Sequence, residues 1–135
     1  MRLRDLEPQF IRYETGIADE FLGQKQPDGS TQWGGFECEY LPHVSTLAEA
    51  QGIYFLCPKC YVPGKNESNG IGVHQVAVTF AGRGVLDHQG CHNSESRPTR
   101  WNVSGTGFDD LTVTPSILLQ GGCGWHGWIT NGEAT

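Results

Sequence analysis

Two cysteines three positions apart, in Cys57-Pro58-Lys59-Cys60, and a cysteine and a histidine three apart, in Cys123-Gly124-Trp125-His126, are the two halves of a tetrahedral metal site. Each pair occupies a tight turn that aims two soft ligands into one space, and a Cys3His set suits Zn²⁺ better than any hard cation. Pro58 restricts the first turn, while Gly122, Gly124 and Gly127 free the second for backbone angles closed to other residues. A site built from Cys57, Cys60, Cys123 and His126 would tie the middle of the chain to its C-terminal part across 62 intervening residues. A small domain gains from such a staple.

Other groups compete for a chemical role. His88, Cys91 and His92 lie within five positions, with His74 upstream, and could form an open metal site with Asp109 or Asp110 as a base. Their polar flanks favour solvated loop residues instead, and His74 at the start of an apolar strand reads as a core histidine. Adjacent Asp109 and Asp110 read as turn caps. Cys57 and Cys60 without a metal would be a redox dithiol, which calls for a low thiol pKa. The Cys-Gly-Trp-His-Gly-Trp segment resembles half of a Rieske signature, but that centre needs a C-x-H that this chain lacks. Cys38 reads as a buried thiol, Trp101, Trp125 and Trp128 as packing residues, and Trp33 as an aromatic that could stack on a sugar or peptide.

The elements that must position these groups are short. Apolar residues make up 37% of the chain and 19 of its 135 residues are glycine, which favours turns and brief strands over long helices. Alternation predicts strands at Phe10–Tyr13, Phe36–Leu41, Ile53–Cys57, His74–Phe80, Trp101–Val103 and Leu111–Val113, a buried run at Ile117–Leu119, and a last strand from Trp128. Thr46 and Glu49 have capping-box spacing and open a helix of about one or two turns. Residues 22–35 form a polar loop around Pro27-Asp28-Gly29, and 62–72 form another. The expectation is one mostly-β domain, residues 1–135, with about seven strands, one short helix and a zinc-knuckle-type site.

Charge narrows the partners. With 15 acidic against 9 basic residues the formal charge is −6, no footprint for nucleic acid, and Arg2, Arg4 and Arg12 read as a solvated edge. No run approaches the roughly 18 apolar residues of a membrane span, nor does an apolar stretch follow the charged N-terminus. The expected place of synthesis is therefore a reducing cytoplasm. There, five cysteines indicate metal or free thiols over disulfides, and the sequons at Asn66 and Asn102 are incidental.

Leu56-Cys-Pro-Lys-Cys60, Gly72-Val-His74, Trp101-Asn-Val-Ser-Gly105, Asp110-Leu-Thr-Val-Thr-Pro-Ser-Ile117, Cys123-Gly-Trp-His-Gly-Trp128 and Asn131-Gly-Glu133 carry a resemblance over roughly residues 45–134. Together they resemble an uncharacterised family of small proteins from tailed phages, prophages and bacteria. The resemblance implies a zinc site and a phage context but no activity. The expectation is a non-enzymatic zinc module made in a host cytoplasm, a virion component or interaction protein whose partners are other proteins. A closed Cys3His shell leaves zinc no open position for chemistry. The alternative is a zinc-dependent hydrolase with an open metal near His74, His88 or His92.

Overall fold

The computed structural model describes residues 1–18, 24–25, 27–32, 36–62 and 73–135. Trp33, the remainder of the 22–35 segment, most of the 62–72 loop and the side chain of Cys38 lie outside the described residues.

Two four-stranded antiparallel sheets dominate. The first has the order β6-β1-β7-β8, from β1 (Gln9–Ile11), β6 (His43–Val44), β7 (Gly52–Leu56) and β8 (Gln75–Thr79). The second has the order β12-β11-β10-β9, from β9 (Asn102–Ser104), β10 (Thr112–Leu118), β11 (His126–Thr130) and β12 (Glu133–Ala134). Two ribbons complete the described strands: β2 (Glu14–Ala18) with β5 (Phe36–Tyr40), and β3 (Gln24–Lys25) with β4 (Thr31–Gln32). Alternation drives the packing. Val76 and Val78 of β8, Ile53 and Phe55 of β7, Val113 and Ile117 of β10 and Ile129 of β11 all point into one apolar cluster with Leu3, Leu6, Phe80 and Leu111. A parallel bridge from Phe80 to Trp101 joins the two sheets.

The strands number more than seven because β3, β4, β6 and β12 are two residues each, too short to register as alternation. The Asp28 turn stands where expected, its Oδ1 accepting from Ser30 N at 2.9 Å, but it closes the β3–β4 ladder inside a segment that reads as a plain loop. The helix at Thr46 shrinks to a 3₁₀ turn, Leu47–Glu49, although the capping box forms: Thr46 Oγ1 donates to Glu49 Oε1 at 2.9 Å and accepts from Glu49 N at 3.4 Å.

The segments around Leu111 and Ile117 are one strand, β10, whose register against β11 shifts between Val113 and Ile117. Pro115 cannot donate to a ladder, so the pairing breaks there and resumes at Ile117 opposite Gly127. Gly127 is required for room rather than for backbone freedom. A Cβ at that position would lie 2.6 Å from the Trp125 ring and collide with the Thr135 carbonyl. Gly127→Ala should therefore destabilise the fold by about 1–3 kcal/mol, read as a lower urea midpoint at unchanged slope.

Candidate functional site

Cys57 follows the end of β7 and His74 precedes the start of β8. The ladder between these strands sets the two side by side, with Cys57 N donating to His74 O at 2.9 Å. The chain then turns through Cys60, whose N–H donates to Cys57 O at 3.2 Å. Cys123 arrives from the loop joining β10 to β11, in which Gly121, Gly122 and Gly124 take positive φ and Lys59 Nζ donates to Cys123 O at 2.7 Å. The ligand atoms of Cys57, Cys60, His74 and Cys123 all lie within 4.8 Å of one another. Cys57 Sγ and Cys123 Sγ are 3.6 Å apart, and His74 Nε2 is 3.2 Å from Cys123 Sγ. Three thiols and an imidazole so gathered could hold a metal ion.

Burial pushes the Cys57 thiol up to about 11. Burial also acts upward on Cys123, but hydrogen bonds from His74, the Trp125 N–H, Cys57 and Cys60 outweigh it and bring that thiol down to about 6. A redox dithiol would need the low value within the Cys57–Cys60 pair, where Cys57 moves the other way.

The group that could hold a metal brings His74 beside the three cysteines, where the sequence spacing points to His126. β11 begins at His126, and its alternation turns His126, Trp128 and Thr130 outward while Gly127 and Ile129 face inward. The imidazole is exposed and is not one of the group that could hold a metal. His74 is exposed rather than a core residue. Only the antiparallel pairing of β7 with β8, which the sequence does not show, brings His74 beside Cys57. The His88, Cys91 and His92 set does not gather among the described residues. His92 ring nitrogens face the carbonyls of Gly90 at 3.0 Å and Asp87 at 2.6 Å, and Cys91 Sγ donates to Ala77 O at 3.3 Å. Asp110 is a turn cap, accepting from Thr106 N and Gly107 N at 2.9 Å, and these bonds hold its carboxyl below the usual range. Asp109 pairs with Arg4 at 2.9 Å.

His126 instead meets Ser116. The register shift in β10 leaves Ser116 half-buried on the outer side of the sheet, and His126 Nε2 lies 3.0 Å from Ser116 Oγ. With the ring proton on Nδ1, Nε2 accepts from the hydroxyl, the geometry of a nucleophile and its base. Trp101 Nε1 holds the Ser116 carbonyl at 3.2 Å, and Trp128 stacks on the imidazole with centroids 5.3 Å apart and planes 26° from parallel. Trp128 is thus half exposed over the histidine rather than a packing residue around a metal. Among the described residues no carboxylate bonds Nδ1. Ser116 also lines a cavity of about 540 Å³. Sequence reasoning missed this pair: Ser116 stands in no nucleophile motif, and only the β10–β11 register carries the signal.

A family model for the bacterial ubiquitination-like system serine protease, BubE, matches residues 37–135, and the chain belongs to that family. Neither a curated protein nor a solved structure matches. The expectation of a non-enzymatic structural module or virion component is overturned by this match, because the family is one of bacterial proteases. A closed metal shell would bar chemistry only at the metal itself. Among the described residues no helix is long and apolar enough to cross a membrane.

Proposed function

We propose that this chain is a serine protease of a bacterial ubiquitination-like system, with Ser116 as nucleophile, His126 as general base and a structural zinc ion at Cys57, Cys60, His74 and Cys123. The observation that carries this reading is the 3.0 Å contact between Ser116 Oγ and His126 Nε2 at the edge of a cavity large enough for substrate. Ser116 Oγ attacks the substrate carbonyl as its proton passes to Nε2. The imidazolium returns that proton to the leaving amine, and His126 then activates the water that cleaves the acyl-enzyme. Four protein ligands complete a zinc shell and leave it no position for substrate, so zinc serves the fold.

Fluorophosphonate labelling tests the assignment directly. A reactive serine takes up one phosphonyl group, intact mass counts it, and peptide mapping should find it on Ser116. Label on any other serine, or none, sinks the reading.

With no carboxylate on Nδ1 among the described residues, Trp128 takes over part of the orienting role. Its face holds the ring in place and favours the imidazolium that forms in the reaction. Trp128→Ala should lower kcat about tenfold with KM little changed, and Trp128→Phe should restore most of the loss. Steady-state kinetics on one cleaved peptide decides it, and a change confined to KM would make Trp128 a substrate contact instead.

A further inference from the structure

The cavity beside Ser116 has walls of definite chemistry. Ala77, Trp101, Ile117 and Leu119 supply apolar surface, and among the described residues neither aspartate nor glutamate lines it. The one permanently charged group in the wall among the described residues is Arg100. Its Nη1 donates to the carbonyls of Cys91 at 2.8 Å and Thr99 at 3.0 Å, and its Nη2 to those of Leu86 at 3.0 Å and Gln89 at 2.6 Å. Four such bonds fix the guanidinium against the wall. No carboxylate pairs with it among the described residues. A chain with formal charge −6 thus presents a local positive charge beside its nucleophile.

His126 is not part of the cavity wall, whereas Pro115, Ser116 and Ile117 are. The proton for the leaving amine comes from His126, so the leaving segment must pass over His126 and Trp128. The acyl side of the scissile bond then turns the opposite way, into the cavity.

On the reading of Ser116 as nucleophile, we propose that this cavity seats the side chain of the residue whose carbonyl Ser116 attacks, and that it takes uncharged apolar side chains while rejecting lysine and arginine. An apolar side chain gains from the Trp101, Ile117 and Leu119 surface. An ammonium or guanidinium would lose its hydration beside fixed Arg100, with no carboxylate among the described residues to meet it.

Diphenyl phosphonates carrying a leucine or a lysine side chain at the phosphorus-bearing residue are suitable probes, because the phosphorus bonds the nucleophile while the side chain samples the cavity. With the 135-residue chain, labelling followed by intact mass should be about 100-fold faster for leucine than for lysine. Asn93→Asp supplies the second arm. Asn93 lines the cavity and its Oδ1 accepts from Glu95 N at 2.9 Å and Arg97 N at 3.0 Å, roles that a carboxylate keeps. The added charge should shrink the leucine preference about tenfold. Equal rates for both probes on Ser116, or a preference untouched by Asn93→Asp, overturn the cavity assignment and leave Ser116 as nucleophile. Failure of both probes to reach Ser116 overturns the nucleophile and this inference together.

Discussion

Ser116→Ala abolishes turnover, by about 10³-fold or more in kcat, while the melting temperature and metal content stay close to those of the parent chain. The size of the loss follows from the role. A residue that forms the covalent bond has no substitute, whereas its contribution to the fold is a single exposed hydrogen bond to His126, worth about 1 kcal/mol. His126→Ala should give a loss of the same order, and the double variant should be no worse than either single one, because nucleophile and base act as a unit. Kinetics on the three variants, with melting curves alongside, checks this. Additive losses would mean that the two residues act separately. His126→Ala also separates two roles that the C-x-x-H spacing confounds. As a base it costs activity and leaves the metal in place. As a ligand it would cost metal and stability first, and zinc analysis of that variant tells the two apart.

The same residue shows where sequence reading reaches and where it stops. Cys57 and Cys60 were legible because a C-x-x-C turn is a local object, complete within four residues. Cys123 was legible from its glycine-rich turn. Which imidazole joins them was not, because that depends on where a strand begins. β11 starts at His126, and one residue's difference in the start of a strand reverses the face of every side chain. The longer ladders, β7 and β8, follow alternation that the eye can count, whereas β3, β4, β6 and β12 depend on partners distant in the chain. The nucleophile was the least legible feature. Ser116 and His126 stand ten positions apart on neighbouring strands, and the register shift at Pro115 decides that they meet. A serine on a nucleophile elbow announces itself by flanking glycines. One presented by a shifted register does not.

Removing the metal should unfold the chain, although zinc takes no part in bond cleavage. Structural zinc in small sites contributes about 10–16 kcal/mol on binding, which matches or exceeds the whole stability of about 5–15 kcal/mol expected of a domain. The four ligands come from three separate places: the turn after β7, the start of β8, and the loop between β10 and β11. Without the ion, the loop carrying Cys123 is held by single contacts such as the 3.6 Å approach of its sulfur to Cys57 Sγ, the 3.2 Å contact with His74 Nε2 and the bond from Lys59 to Cys123 O, too little to close so long a loop. The purified chain should carry one zinc per molecule, and chelation or His74→Ala should lower the melting temperature by about 15 °C or more. Cys123 lies between Ser116 and His126 in the sequence, on the loop that joins their strands, so loosening it also separates nucleophile from base. Fluorophosphonate uptake at Ser116 should therefore fall in step with the loss of folded structure as zinc is withdrawn. Restoring either zinc or cobalt should recover both, since a tetrahedral scaffold needs the geometry rather than a particular Lewis acid. A melting curve unmoved by chelation would remove the structural metal from this account. A folded chain that loses Ser116 reactivity on chelation would place the ion in the chemistry itself.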